Sequence, residues 1–295
     1  MNPQQKTGTI LAMPMLGGVV LFSLLPAVVG LGLSLFRWTL SEAPVWVGLA
    51  NYASLLGGDP LFLQAAGNTA ILALAVPVQV LGSYGLAMWL RRSSLGAQIL
   101  RLVVFLPSVV NPIALYLLWR WIFQADCGPL ARLATGLGLA APAWLDDPAW
   151  AKPALMIVMF WESVGGFSML FFLAAFRQIP RQIHEMAELD GSGAWQRLLV
   201  VYWPWTRRVL GFSLALGYLG ALHGGLEIAY AMTGGGPLHA TTTLAFQAFQ
   251  NAFQWQRAGY AATIGVMMAA GGLPLVVLRI LARRGSLWPR SGGTA

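Results

Sequence analysis

The chain has 295 residues, 57% hydrophobic and only 9% charged, with a net charge of +8; ordinary soluble domains carry about 25% charged residues. Long stretches free of Lys, Arg, Asp and Glu point to a membrane protein rather than a large soluble core. The basic residues are mostly arginines flanking apolar runs, with no contiguous basic face interleaved with aromatics, which argues against a nucleic-acid partner, and the lone Cys127 excludes an internal disulfide and a thiolate metal cluster.

A hydrocarbon core about 30 Å thick needs roughly 20 mainly apolar helical residues. Six stretches meet this requirement, at approximately 9–36, 68–90, 102–123, 153–176, 209–232 and 259–282. The first follows a single lysine, is longer than a signal-peptide core and ends in no A-x-A-like site, so a retained span is expected. The third is interrupted by Pro107 and Pro112. Proline is tolerated in a span where neighbours or water satisfy the freed carbonyls, and such kinks often line cavities. The expected fold class is all-α: one polytopic domain over 1–295 with about six transmembrane helices.

Basic residues mark the cytoplasmic side of such a chain. Placing both termini inside assigns to the cytoplasm Lys6, Arg91, Arg92, Arg101, Arg177, Arg181, Arg197, Arg207, Arg208, Arg279, Arg283, Arg284 and Arg290. Only Arg37, Arg120, Arg132, Lys152 and Arg257 then lie outside. The outer loops are rich in Trp, Phe and Tyr, which suit the membrane interface.

Between the fourth and fifth stretches, EMAELDGSGAWQRLLVVYWPWTRR (185–208) is compact, charged and broken by glycine. Pro180 suits the first turn of a helix, which is expected to run through Ile183, Met186 and Ala187 to about Leu189. Asp190-Gly191 is a stop signal, with Gly191 able to take the left-handed position after the helix. Ser192 is the expected cap of a second helix, in which Trp195, Leu198, Leu199 and Tyr202 form one apolar stripe. Pro204 is expected to end that helix or kink the entry to the fifth span. The residues alone leave two readings: an amphipathic connector on lipid headgroups, or a stiff knob docking into a cytoplasmic partner.

Glu185-Met186-Ala187, three residues, Gly191, nine residues, then Val201-x-Trp203-Pro204 resembles the EAA loop of ABC-importer permeases. The family pattern is Glu-Ala-Ala, three residues, Gly, nine residues, Ile-x-Leu-Pro; Met186, Val201 and Trp203 depart from it but stay apolar. WVGLANYASLLGGDPLFLQAAGNT, FLPSVVNPIALYLLWRWIF, FFLAAFRQIPRQIHEMAELDG and YAMTGGGPLHATTTL resemble carbohydrate-type permeases, in particular the first permease subunit of the maltose and glycerol-phosphate type. The resemblance implies a type I ABC importer permease fold in the bacterial inner membrane. It implies alternating access with a second permease subunit, two ATP-binding subunits and an extracytoplasmic solute-binding protein. It also implies ATPase coupling through Glu185, Met186, Ala187, Asp190, Gly191, Val201 and Pro204.

No G-x-x-x-x-G-K-[ST] occurs, and the two lysines, Lys6 and Lys152, lack that context. The chain is therefore expected to be non-catalytic and to bind no cofactor, with ATP and Mg on the partner ATPase. Glu162 and Glu227 lie within spans, where acidic residues normally face a cavity or a partner. His223 precedes Glu227 by four residues, on one helix face. The plain readings are that Glu227 lies near the outer interface with His223 hydrogen-bonded to it and that Glu162 pairs with another helix as structural glue. The functional reading is a polar, aromatic-lined sugar site midway across the membrane. The resemblance places substrate contacts at Ser108 and Asn111 on the third span, at Glu162, Ser163, Phe167 and Ser168 on the fourth, and at His223, Gly224 and Glu227 on the fifth. Gly165, Gly166, Gly224 and Gly225 also suit close helix packing.

The rival reading is a proton-coupled secondary transporter using a His223/Glu227 relay; such folds usually carry inverted repeats, and none is evident. An intramembrane hydrolase would need paired catalytic groups at span depth, and no Ser-His dyad, two-aspartate pair or H-E-x-x-H occurs.

Overall fold

The computed structural model describes the backbone of residues 3–285 and the side chains of residues 11–272. Arg290 lies outside the described residues, as do the side chains of Lys6, Arg279, Arg283 and Arg284. Among the described residues, four helices are long and apolar enough to cross a bilayer: Leu11–Leu33, Pro60–Trp89, Pro148–Arg177 and Ala194–Thr233. A final helix, Ala258–Gly285, has 28 residues.

The third expected span, 102–123, is not one straight helix. Leu95–Ser108 and Pro112–Ile122 meet at 95°. Neither Pro107 nor Pro112 can donate a helical hydrogen bond, and a residue before proline is pushed out of the α region. Asn111 accordingly sits at φ −57°, ψ 124° and caps the second piece, its Oδ1 accepting from the Ile113 and Ala114 amides. The chain thus starts a new helix where the sequence pattern suggested a kink.

The described residues fall into two compact units, one up to Leu63 with Gln247–Gly271, the other Gln64–Phe246 with those from Gly272 onward. In the first, a short antiparallel ladder pairs Phe36 with Trp46 and Arg37 with Val45. Asn51 Nδ2 donates to the Ser34 and Phe36 carbonyls at 2.8 and 2.9 Å, tying the helix Ala50–Leu56 to the end of the first span. Tyr260 donates to Asp59, whose other oxygen caps the amides of Leu61 and Phe62.

The second unit has two apolar clusters. One gathers Val80, Tyr84, Phe172, Phe176, Val201 and Tyr202; the other gathers Leu72, Leu115, Tyr116, Leu155, Val158 and Ile228. Glycines let these helices approach: a Cβ on Gly165 would run into the Val104 carbonyl, and one on Gly225 would stand 3.0 Å from Thr243 Cγ2. The TGGGPLHATTT segment turns inward at its end: Thr241, Thr242 and Thr243 are buried, whereas Leu238 is 82% exposed. Asn68 Nδ2 donates to the His239 and Thr242 carbonyls at 2.9 and 2.8 Å, and the Thr242 bond is buried, satisfying backbone that water cannot reach there.

Candidate functional site

The polar loop is a helix, a turn and a second helix. Arg181–Leu189 is helical, with Pro180 as its N-cap rather than within its first turn. Gly191 adopts φ +66°. Its amide donates to the Glu188 carbonyl, and the Ser192 amide reaches back to Ala187, both at 3.1 Å. These two bonds make a Schellman ending, which favours glycine because left-handed φ is costly for a side chain.

Gly193, not Ser192, caps the following helix; the Ser192 amide closes the preceding one. Arg197 then clamps the two helices: its Nε donates to the Ser192 carbonyl at 2.8 Å and its guanidinium meets Glu188 at 3.1 Å. On the first helix, Arg181 pairs with Glu185 at 2.9 Å.

The loop has an inner and an outer face. Ala187, Val201 and Tyr202 are buried, and Tyr202 packs on Phe176, His184 and the Arg91 guanidinium. Met186, Leu189 and Trp195 face outward, Leu189 being 89% exposed. The expected single stripe is therefore split: Trp195 and Leu199 are exposed, whereas Tyr202 is buried. A π-helical turn over Leu198–Tyr202 changes the angle per residue and moves Tyr202 off that line.

Pro204 neither ends the helix nor begins a separate one. Ala194–Thr233 runs as a single helix of 40 residues, and Pro204 lies in the turn following the π segment. The wide turn relieves the clash a proline ring makes with the carbonyl four residues back.

Further along the same helix lies a cavity of about 580 Å³. Of the residues expected at a substrate path, Ser108, Glu162, Ser163, Phe167 and Ser168 line it, with Gly224 and Glu227 opposite. Asn111 does not; its side chain is occupied as a helix cap. Nor does His223, whose Nδ1 lies 2.9 Å from the Leu219 carbonyl; among the described residues no hydrogen bond joins His223 to Glu227. Gly166 and Gly224 line the cavity, whereas Gly165 and Gly225 are packing positions.

Sequence reasoning missed Gln79 and Tyr116. Tyr116 donates to Glu162 Oε2 at 3.0 Å. Gln79 is only 6% exposed, lines the cavity, and its Nε2 has no hydrogen-bond partner among the described residues. Its signal was a lone amide in the apolar run LALAVPVQVLG. The first unit has a hollow of its own, about 1090 Å³, lined by Arg37, Asp59, Trp255, Arg257 and Tyr260, which no sequence motif marked. Among the described residues no group of three or more His, Cys, Asp or Glu could hold a metal.

Bilayer-length helices around a mainly apolar cavity that carries two glutamates, with a clamped polar hairpin leading directly into one of them, fit a membrane transport subunit. The chain belongs to the family of binding-protein-dependent transport system inner membrane components, which matches residues 79–285 and so takes in both the loop and every cavity-lining residue. The diacetylchitobiose uptake system permease protein of Streptomyces coelicolor is 33% identical over 254 residues, 81% of this chain and 71% of its own length. The lactose transport system permease protein of Rhizobium radiobacter is 30% identical over 283 residues, 94% of each chain. A solved bacterial ABC transporter involved in import of the acidic polysaccharide alginate shares the fold, with a TM-score of 0.82 over 96% of this chain and 97% of its own, at 21% identity. The protein is a permease subunit with the type I importer fold, and the comparisons give no support to a proton-coupled transporter.

Proposed function

We propose that this chain is one of two permease subunits of an ATP-driven importer for a sugar or sugar derivative in the bacterial inner membrane, with both termini cytoplasmic. An extracytoplasmic solute-binding protein delivers the substrate. Two ATP-binding subunits hold ATP and Mg, and this chain binds no cofactor of its own. The carbohydrate assignment is supported by the substrates in the relatives' names and by a cavity that pairs ring faces, Phe167 and Tyr116, with carboxylates and hydroxyls.

The observation that carries the mechanism is the unbroken helix Ala194–Thr233. At 1.5 Å per residue it is about 60 Å long. It begins at the exposed hairpin, and its later residues Leu216, Gly220, Gly224 and Glu227 line the cavity. Closure of the ATPase against Glu185, Met186, Asp190 and Gly191 displaces the hairpin. Arg197 carries that displacement across the turn, and the helix delivers it to the cavity wall. Val201 is the buried pivot, and Pro204 follows the π turn without breaking the lever. The helices then rock and open the cavity alternately to the two sides.

Reconstitution in proteoliposomes tests this reading. Uptake of radiolabelled sugar is expected only with ATP, both permeases, the ATPase and the binding protein present. Uptake by this chain alone under a pH gradient would overturn it.

A further inference from the structure

From the donors and acceptors on the wall of the 580 Å³ cavity, we infer that Glu162 and Glu227 act as a charge filter that admits neutral and amine-bearing sugars and rejects anionic ones such as uronates and sugar phosphates. This rests on the sugar-carrying reading of the same cavity.

Both carboxylates line one cavity, and no Lys, Arg or His stands among its lining residues. The nearest imidazole along the chain, His223, is turned to the Leu219 carbonyl and does not reach the wall. An ionised carboxylate only accepts hydrogen bonds, so its ligand must donate. Hydroxyl and ammonium groups do; a second carboxylate or a phosphate cannot. Like charges brought together away from water are opposed steeply, which makes such a pair a device for rejection as much as for binding.

The other polar groups fit the same ligand. Tyr116 spends its hydroxyl hydrogen on Glu162, and Ser108 spends its own on the Phe105 carbonyl at 2.8 Å. Both therefore present acceptors. Ser163 and Ser168 add hydroxyls that can donate or accept. The cavity thus asks for a molecule that donates to its carboxylates and carries no net negative charge.

Equilibrium binding to the assembled transporter in nanodiscs, without the soluble binding protein, tests this with three probes on one disaccharide skeleton: neutral, amino-sugar and uronic-acid forms. The neutral and amino forms are expected to bind at least tenfold more tightly than the uronate. Glu227→Gln, and Glu162→Gln with Glu227→Gln, are expected to shrink that gap below threefold. Gln at 162 still accepts from Tyr116, and Glu227 makes no hydrogen bond among the described residues, so Glu227→Gln carries the test if the double variant fails to assemble. Equal binding of uronate and neutral forms by the native protein would overturn the filter and leave the sugar reading standing. Binding of none of the three, with ATP-driven uptake of a substrate that is not a sugar, would remove both.

Discussion

Gly191 and Gly165 are both positions where a side chain is refused, for different reasons. Gly191 holds a left-handed φ with nothing nearby to clash. Gly191→Val is therefore expected to cost about 1–3 kcal/mol of local backbone strain, loosening the hairpin while leaving the membrane helices folded; ATPase activity would lose its coupling to uptake. Gly165 is refused by space, since its Cβ would meet the Val104 carbonyl. Gly165→Val is expected to lower the melting temperature of the purified complex, at a cost of about 1–3 kcal/mol or more. Asn68→Ala strands the buried Thr242 carbonyl and removes the part-buried bond to His239, and is expected to destabilise by roughly 1–3 kcal/mol, read by the same melt. Gly191 was legible in the sequence because Asp-Gly ends a helix by local chemistry. Gln79 was not: one amide in an apolar run does not reveal which neighbouring helix faces it. Ser192 misled for a related reason: the following helix starts one residue later than a Ser192 cap requires, with Gly193 at the cap.

The elements divide in the same way. Apolar length alone located the helices Pro60–Trp89 and Pro148–Arg177, because burying backbone in lipid demands that length whatever the tertiary packing. The 95° bend before Pro112 could not be read from length; two prolines announce an interruption, but its angle is set by what packs on each side. The burial of threonines 241–243 was likewise unreadable: their hydroxyls bond locally, but Asn68, which donates to the Thr242 carbonyl, lies far away in sequence. The continuity of Ala194–Thr233 is the element-scale feature with the greatest mechanical consequence. A Gly-Gly-Ser insertion after Tyr202 is expected to abolish uptake at least tenfold while ATP hydrolysis by the complex continues, measured side by side in proteoliposomes. Retained uptake would show that force does not travel along this helix.

At the scale of the whole molecule, the chain presents two surfaces with unmet needs. The first span, Leu11–Leu33, has no buried residue in its apolar window, as suits lipid or the second permease. The hairpin exposes Met186, Leu189 and Trp195 on a clamped frame, and a frame held rigid in advance loses little entropy on docking. The most direct measurement is cross-linking from Leu189→Cys, in a Cys127→Ser background because Cys127 is exposed, carried out in membranes holding the complete transporter. The expected product, identified by mass spectrometry, joins this chain to the ATP-binding subunit. A product joining it instead to the extracytoplasmic binding protein would contradict the coupling role of the hairpin and the orientation that goes with it.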